Sequence, residues 1–288
     1  MIMSTPRITW IGLGHMGTPM VMNLLKGGFD VAVYNRSAEK IKPLTEAGAK
    51  SFAKIEEVVP NSNVVFTMLS DDSAVTSVYE NLMKSDISKK LFINMSTISP
   101  ELTIRLSQEI ESKGGHYLDA PVSGSVKPAT DGTLIILVAG REIDYEASTM
   151  FFEKLGKFSL YLGEAGLGAK AKLAINYYMS VVIEGLAETV LFAEKNGIDR
   201  ETMMFIVNES ACGSGMSKMK TPAIIQDNYL AAFPLKHMDK DIRLAQKEGL
   251  NTEVSTAMAR IFGEAMKADL ADKDLMAVIK AVKSEYFK

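Results

Sequence analysis

The chain has 288 residues, of which 47% are hydrophobic and 23% charged, and its formal net charge is −3 at pH 7. This composition is typical of a folded, soluble protein and argues against a disordered chain. The small negative charge also argues against the broad basic surface that binding to nucleic acid or to an anionic membrane requires.

Metal-binding and targeting features are equally sparse. The single cysteine, Cys212, cannot form a disulfide within the chain, and the three histidines do not combine with it at the spacing of a zinc site. The first residues lack the features of a secretion signal, and no run of about 18 apolar residues occurs. The sequence therefore predicts a cytoplasmic protein without a structural metal.

Short apolar runs alternate with longer amphipathic segments in the first half of the chain. Strands alternating with helices form a parallel sheet covered by helices on both faces, so we predict a doubly wound, Rossmann-like α/β domain. The pattern changes near Gly163, and we place the end of this domain at residue 164. The predicted strands are Ile8–Ile11, Val31–Tyr34, Val64–Leu69, Leu91–Asn94, His116–Leu118, Leu134–Ala139 and Ser159–Leu162.

Residues 165–288 show helical periodicity instead. The segment Ala165–Asn196 has no proline, carries apolar residues at helical spacing and ends before Gly197, so it predicts one long helix of about 30 residues. We therefore expect a second, all-α domain, joined to the first by this helix. Its other predicted helices are Arg200–Asn208, Lys236–Glu248, Thr252–Ala268 and Leu275–Lys288.

A glycine-rich segment, GLGHMG, follows the first predicted strand and opens a helix. Glycines at this spacing allow a tight turn, the approach of a pyrophosphate to the backbone, and close packing of the helix on the strand. The free N–H groups of the helix N-terminus then favour a negatively charged group. A purely structural turn is the alternative. The residues predicted to bind a dinucleotide are Gly12, Leu13, Gly14, His15, Met16 and Gly17.

The end of the second predicted strand indicates which dinucleotide is preferred. An enzyme that binds NAD usually has an acidic residue at this position, whereas this sequence has Asn35, Arg36 and Ser37. The planar guanidinium of Arg36 can bind a 2′-phosphate and stack on adenine, and its two neighbours add neutral hydrogen-bonding groups. NADP(H) is therefore the predicted cofactor; the alternative is that Arg36 is an ordinary solvated cation.

Two polar residues of the long helix are suited to catalysis. Lys172 and Asn176 are four residues apart and therefore share one helix face. Gly166 and Gly168 precede them in the sequence, at the helix start, where we expect a crevice between the domains. A lysine there can donate a proton or a charged hydrogen bond to a carbonyl oxygen as hydride arrives, and Asn176 can orient the lysine or the substrate. Spacing alone does not distinguish Lys172 from an ordinary surface lysine such as Lys170.

Four segments together resemble the β-hydroxyacid dehydrogenases, the family of 3-hydroxyisobutyrate dehydrogenase and 6-phosphogluconate dehydrogenase. They are Gly12–Asn23 (GLGHMGTPMVMN), Asp119–Gly132 (DAPVSGSVKPATDG), Gly166–Asn176 (GLGAKAKLAIN) and Lys236–Ala245 (KHMDKDIRLA). The resemblance implies that Lys172 is the catalytic lysine and that Asn176 assists it. It implies that the substrate is bound by Thr97, Ser123, Gly124, Phe233, Lys240 and Asp241. It further implies that the cofactor is lined by Met68, Leu69, Thr97 and Lys240.

One difference from many members of that family concerns the substrate. Many members have Ser-Gly-Gly where this chain has Ser123, Gly124 and Ser125. This variant is similar to the branch of glyoxylate and succinic semialdehyde reductases, which implies NADPH-dependent reduction of a small aldehyde acid with Lys172 as general acid. A 3-hydroxyisobutyrate or tartronate semialdehyde dehydrogenase/reductase is the alternative, because one side chain can change pocket size without changing the reaction.

Two further function classes are compatible with the fold. They are a non-catalytic nucleotide-binding module and an imine reductase, and the presence of Lys172 disfavours both. The resemblance, the long helix and the apolar helix faces also predict a homodimer or homotetramer built through the helical domain. The expected partners are thus a small acid and further copies of the chain, without nucleic acid or a membrane.

Overall fold

The computed structural model describes residues 6–287, which form parts of two compact units. The first unit extends to Lys172 and the second begins at Leu173. This division falls inside the long helix, beyond residue 164, because the first turn of that helix packs against the sheet of the first unit.

The first unit is built on a sheet that has nine strands within residues 6–287. The strands are β1 (Ile8–Ile11), β2 (Val31–Tyr34), β3 (Lys50–Ser51), β4 (Val64–Thr67), β5 (Leu91–Asn94), β6 (His116–Asp119), β7 (Val122–Ser123), β8 (Leu134–Gly140) and β9 (Gly156–Tyr161). Every strand predicted from the sequence is present. β3 and β7 are not predicted, because a run of two residues has no recognisable period.

The strand order is β3–β2–β1–β4–β5–β6–β8–β7, and β9 pairs with β8. Neighbouring strands are parallel from β3 to β6, which confirms the doubly wound α/β prediction. β8 runs antiparallel to β6 and β7. The chain order reverses at β1, which lies between β2 and β4, and in such sheets a ligand binds beyond the carboxyl ends of the strands at that point.

Apolar residues cover both faces of this sheet. Trp10 and Phe66 stack in one cluster, with ring centroids 5.2 Å apart. Val65 and Phe92 belong to a separate cluster. Since neighbouring residues of a strand point to opposite faces, the burial of every residue of β1 and β4 shows that these strands are covered on both sides.

Helices connect the strands of the first unit. They are α1 (Gly17–Lys26), α2 (Lys42–Glu46), α3 (Val58–Asn61), α4 (Asp72–Leu82), α5 (Pro100–Ser112), α6 (Val126–Asp131) and α7 (Glu142–Leu155). Side chains cap two of them: Asp71 accepts from the N–H of Ala74 in α4, and Ser99 accepts from the N–H of Leu102 in α5. Such caps satisfy N–H groups that have no partner inside the helix.

The second unit is helical, as predicted. Its helices are the larger part of α8 (Leu167–Lys195), then α9 (Arg200–Glu209), α10 (Gly215–Ile225), α11 (Leu235–Lys247), α12 (Glu253–Lys267) and α13 (Val278–Tyr286). The sequence does not predict α10, which contains Pro222. The helix predicted from residue 275 begins as a 3₁₀ turn, Leu275–Ala277, and its last residue, 288, lies outside the described residues. Within residues 6–287, the structure contains no helix that could cross a membrane.

Candidate active site

The glycine loop connects the carboxyl end of β1 with α1. Gly12 has a φ of +100°, and a Cβ on it would lie 2.2 Å from the carbonyl oxygen of Met68. A Cβ on Gly17 would lie 2.0 Å from the carbonyl oxygen of Gly12. The packing of the loop itself therefore requires both glycines. A Cβ on Gly14 would meet no protein atom within 4 Å, so protein packing does not explain this glycine, whereas the close approach of a pyrophosphate does.

Two side chains hold the glycine loop in place. The indole N–H of Trp10 donates to the carbonyl oxygen of Gly12 at 3.1 Å. The backbone N–H of Leu13 donates to Oδ1 of Asn35 at 2.9 Å, and the side-chain amide of Asn35 donates to the carbonyl oxygen of Ser37 at 2.9 Å. Asn35 therefore connects the loop after β1 with the loop after β2, a bracing role that the sequence does not indicate.

Basic side chains lie beside the glycine loop. Arg36 is exposed just beyond the end of β2, and Lys40 is exposed in the following turn. Lys40 and Lys26 line an open cavity of about 580 Å³, together with Gly14 and His15. This positive edge suits a phosphate-bearing ligand. The sequence does not indicate Lys40, because a lone lysine in a loop forms no recognisable pattern.

Side-chain hydrogen bonds join the loops after β4 and β5. The hydroxyl of Ser96 accepts from the backbone N–H of Leu69 at 2.9 Å. Oδ1 of Asn94 accepts from the hydroxyl of Thr67 at 3.1 Å and from the backbone N–H of Ser96 at 3.0 Å. This network fixes Leu69 and the residue before Thr97, two positions that the sequence predicts to line the cofactor.

The start of α8 is held by Asp119, the last residue of β6. Oδ1 of Asp119 accepts from the N–H of Gly166 at 3.2 Å, and Oδ2 accepts from the N–H of Ala169 at 2.9 Å. Burial raises the pKa of Asp119 to about 6, although these backbone hydrogen bonds favour the charged form. Asp119 belongs to a family-like segment, but the sequence gives no role for it.

Lys172 and Lys170 differ sharply in their surroundings. Lys172 has 4% of its surface exposed, whereas Lys170 is an exposed residue. Lysine is seldom buried to this extent, because removing its charge from water is unfavourable without compensating contacts. The structure therefore distinguishes two lysines that spacing leaves equivalent.

The turn after β7 carries Ser123 and Gly124. Gly124 has a φ of +136°, and a Cβ there would lie 2.7 Å from Cδ2 of Leu134 and 3.1 Å from Cβ of Pro128. Ser123 pairs with Ile135 of β8 and is partly exposed, and Gly124 is exposed. The backbone of this turn is thus fixed and accessible, as a site for a small carboxylate requires.

Asn176, Asp241 and Lys240 form a polar cluster in the second unit. The side-chain amide of Asn176 donates to Oδ2 of Asp241 at 2.5 Å, and Nζ of Lys240 lies 3.1 Å from Oδ1 of the same carboxylate. Asn176 and Asp241 are buried, and Lys240 is partly exposed. Asp241 therefore orients both the amide and the ammonium group.

Phe233 lies just before α11 and is partly exposed. Its backbone N–H donates to Oδ2 of Asp274 at 3.2 Å, and its ring lies edge-on to that of His237, with centroids 6.1 Å apart. Oδ1 of Asp274 accepts from Nζ of Lys220 at 2.7 Å. The sequence does not indicate the pairing of Lys220 with Asp274, because residues 54 positions apart form no local pattern.

The predicted site residues divide between the two units. In the first unit, the predicted cofactor residues follow the carboxyl ends of β1, β2, β4 and β5: Gly12, Leu13, Gly14, His15, Met16, Gly17, Asn35, Arg36, Ser37, Met68, Leu69 and Thr97. The first unit also contains Ser123, Gly124 and Lys172, and the second contains Asn176, Phe233, Lys240 and Asp241. Lys172 and Asn176 are four residues apart in α8. Among residues 6–287, no group of three or more His, Cys, Asp or Glu side chains could hold a metal ion.

Most of the chain matches two known protein families. Residues 7–163 match the family described as the NAD binding domain of 6-phosphogluconate dehydrogenase. Residues 166–282 match the family described as NAD-binding of NADP-dependent 3-hydroxyisobutyrate dehydrogenase. The chain belongs to the β-hydroxyacid dehydrogenase family. It is therefore an NAD(P)-dependent oxidoreductase, as its resemblance to that family predicts.

Individual β-hydroxyacid dehydrogenase relatives agree with this conclusion. Glyoxylate/succinic semialdehyde reductase 1 of Arabidopsis thaliana is 40% identical over 96% of this chain and 98% of the relative. Glyoxylate/succinic semialdehyde reductase 2, chloroplastic, of the same plant is 37% identical over 98% of this chain and 81% of the relative. The structure of Mycobacterium tuberculosis 3-hydroxyisobutyrate dehydrogenase with L-serine matches with a TM-score of 0.87 at 28% identity, over 97% of this chain and 99% of that one.

Proposed function

We propose that this β-hydroxyacid dehydrogenase uses NADPH to reduce a small aldehyde acid, glyoxylate or succinic semialdehyde, to the hydroxy acid, with Lys172 as the general acid. Lys172 is buried near the fixed start of α8, whereas Lys170 is exposed, and this difference supports Lys172 as the acid. Similarity to the two Arabidopsis reductases supports this class of substrate.

The proposed reaction couples one hydride transfer to one proton transfer. When bound, NADPH supplies the hydride that adds to the carbonyl carbon. Lys172, as the ammonium, donates a proton to the carbonyl oxygen and becomes neutral, so that the hydroxy acid is formed without a free alkoxide. In the reverse direction, neutral Lys172 accepts the proton of the hydroxyl group. Asn176, whose amide is held by Asp241, orients Lys172 or the substrate oxygen.

The carboxylate of the substrate explains the remaining polar residues. Backbone N–H groups of the turn at Ser123 and Gly124 bind it, because several fixed donors match a single carboxylate. Thr97 lines the pocket around the rest of the molecule, and the family resemblance also assigns Phe233, Lys240 and Asp241 of the second unit to the substrate. This binding fixes the carbonyl group for attack, which is a large part of the catalytic effect of positioning.

NADP(H) is the proposed cofactor. Arg36 is exposed where an NAD enzyme would carry an acid, and Lys40 adds a second cation close to it in sequence. The guanidinium of Arg36 binds the 2′-phosphate through charge-assisted hydrogen bonds, and the loss of such a contact costs about 1.5–3 kcal/mol. Asn35 and Ser37 hold the backbone from which Arg36 extends.

Turnover measurements test both the substrate and the cofactor. The wild-type enzyme is assayed with glyoxylate, succinic semialdehyde, methylmalonate semialdehyde and tartronate semialdehyde, each with NADPH and NADH. We expect the highest kcat/KM for glyoxylate or succinic semialdehyde with NADPH.

Arg36→Ala should lower kcat/KM with NADPH by about 10- to 100-fold and leave kcat/KM with NADH unchanged. Arg105→Ala removes an exposed arginine of α5 and serves as the matched control. If the wild type has equal kcat/KM with NADPH and NADH, and Arg36→Ala does not change either value, the assignment of NADP(H) as the preferred cofactor is contradicted.

A 3-hydroxyisobutyrate dehydrogenase is the second candidate function. The structural similarity to the Mycobacterium tuberculosis enzyme favours it, and Ser125 beside the proposed carboxylate site could adapt the pocket to a branched acid. The same assays distinguish the two functions. Highest turnover with methylmalonate semialdehyde, the oxidation product of 3-hydroxyisobutyrate, supports the second function and excludes the first.

We also propose that the chain forms a homodimer or homotetramer through its second unit. Ile175, Tyr178 and Phe192 of α8 have 41%, 65% and 64% of their surfaces exposed. Their spacing places them on one face of the helix. An exposed apolar face of this kind is stabilised when a second copy of the chain covers it.

A further inference from the structure

The N-terminus of α8 has no capping side chain of its own. The helix begins at Leu167 after Gly166, and its first turn contains no acidic residue. The N–H groups of Gly166 and Ala169 donate instead to the two carboxylate oxygens of Asp119, at 3.2 and 2.9 Å. A carboxylate at this position satisfies N–H groups that have no partner in the helix and also matches the helix dipole. Asp119 is thus a helix cap supplied by a distant segment, the end of β6.

Close contacts fix the helix start around Asp119. A Cβ on Gly168 would lie 2.7 Å from Oδ2 of Asp119 and 2.7 Å from the carbonyl oxygen of Leu137 in β8. Gly166 has a φ of +97°, and a Cβ there would lie 2.9 Å from Cγ1 of Ile104 in α5. The start of α8 is therefore packed without spare room against β6, β8 and α5, and Asp119 supplies the polar contacts of that junction.

Asp119 also stands between two parts of the proposed site. Asp119 is followed in the sequence by Pro121 and then by Ser123, where the turn proposed to bind the carboxylate begins. The carbonyl oxygen of Pro121 accepts from the N–H of Leu137 at 2.9 Å. Along α8, Lys172 follows Ala169 by three residues, which is less than one helical turn. A single carboxylate therefore connects the substrate turn with the helix that carries the proposed acid.

We propose that Asp119 is a positioning residue, whose carboxylate fixes Lys172 relative to the turn at Ser123 and Gly124. This inference rests on the proposed role of Lys172 and deepens it. Asp119 moves no proton to the substrate; it acts through the position of Lys172. A general acid must lie within hydrogen-bond distance of the reacting oxygen, and a small displacement of the helix start lowers the rate greatly.

Variants of Asp119 test this role when they are made in two backgrounds. Asp119→Ala and Asp119→Asn are prepared in the wild-type enzyme and in Lys172→Ala, and kcat, KM, NADPH affinity and Tm are measured for each. In the wild-type background, Asp119→Ala should lower kcat by about 10- to 100-fold, with NADPH affinity unchanged. Asp119→Asn keeps an oxygen acceptor for one of the two N–H groups and should recover part of the loss.

The Lys172→Ala background separates positioning from stability. If Asp119 acts through Lys172, Asp119→Ala causes no further loss of the residual turnover in that background. A residue that only stabilises the fold would reduce turnover by the same factor in both backgrounds, and this outcome overturns the proposal. Where Asp119→Ala does not fold, Asp119→Asn provides the same comparison.

Asp144→Asn serves as the control for the Asp119 variants. Asp144 is another buried carboxylate of the first unit and pairs with Arg141, so Asp144→Asn should keep wild-type kcat. Wild-type kcat in the Asp119 variants, combined with an inactive Lys172→Ala, overturns this inference alone. Full turnover of Lys172→Ala overturns the proposed function and this inference together.

Discussion

Glu184 is a carboxyl group buried inside the second unit, with 4% of its surface exposed. Among the described residues, neither of its side-chain oxygens has a hydrogen-bond donor. Burial raises the pKa of Glu184 to about 7, the negative charge of Glu188 adds to this effect, and the guanidinium of Arg260 opposes it. The folded chain therefore favours the protonated form of Glu184 more than the unfolded chain does.

The raised pKa of Glu184 makes the free energy of unfolding depend on pH. Its stabilising contribution is fully present below the ordinary pKa of about 4.5 and is lost as the pH rises through about 7. Glu184→Gln keeps the shape but cannot ionise. We expect it to be more stable than the wild type at pH 8, by about 3 kcal/mol, and equally stable at pH 4.

Chemical unfolding of both proteins at pH 4, 6 and 8 checks this expectation. Glu209→Gln, which changes an exposed carboxylate of the same unit, is the matched control. If wild type and Glu184→Gln show the same pH dependence of stability, the folded chain does not hold Glu184 in its protonated form.

At the scale of secondary-structure elements, one buried ion pair organises the segment before α11. Asp274 accepts from Lys220 of α10 at 2.7 Å and from the backbone N–H groups of Ala232 and Phe233 at 3.1 and 3.2 Å. The side chains of Lys220 and Asp274 are 6% and 3% exposed. The pair therefore fixes Phe233 and the entry to α11, the helix that carries Lys240.

Removing one partner of this pair should destabilise the second unit strongly. Lys220→Ala leaves the carboxylate of Asp274 buried without its cation, which costs about 3–5 kcal/mol of unfolding free energy. Lys218→Ala removes an exposed lysine of the same helix and should change stability by less than about 0.5 kcal/mol. Guanidinium unfolding of the two variants measures the difference. Equal stability of both would show that the buried pair does not hold these elements together.

Elements with local signals could be predicted from the sequence, whereas contacts between distant segments could not. Apolar periodicity and the positions of glycines in the sequence predict β1, the glycine loop and α8. α10 is missed because Pro222 interrupts its pattern, although Ser214 and Ser217 form a capping box at its start. The cap from Asp119 to Ala169 joins residues 50 positions apart, and no local pattern encodes it.

At the scale of the whole molecule, fold class and family follow from long segments, but substrate identity does not. Alternating strands and helices, followed by helical periodicity, extend over many residues and tolerate local errors. The substrate instead depends on a few side chains, such as Ser125 and Phe233, and on their contacts. The burial of Lys172 likewise depends on the folded chain, and the residues next to it in sequence do not predict this burial.

Assembly through α8 gives a prediction for the intact protein. Light scattering at micromolar concentrations should give a mass of two or four chains of 31.5 kDa. Phe192→Glu places a charge on the exposed apolar face and should shift the protein toward monomer. Ile143→Glu changes an equally exposed residue of the first unit, 64% in both cases, and should leave the mass unchanged. A fully active monomer across this concentration range contradicts the proposed assembly.

A comparison of Lys172→Ala with Lys170→Ala measures whether Lys172 is the general acid. Both changes remove one positive charge from α8, but only Lys172 is buried and shares a helix face with Asn176. On the best aldehyde acid, Lys172→Ala should lower kcat by about 10²–10⁴-fold, the usual effect of losing a positioned general acid. Fluorescence titration should show nearly unchanged NADPH affinity, and Lys170→Ala should keep wild-type kcat. If Lys172→Ala retains more than about a tenth of wild-type kcat, Lys172 is not the general acid of this enzyme.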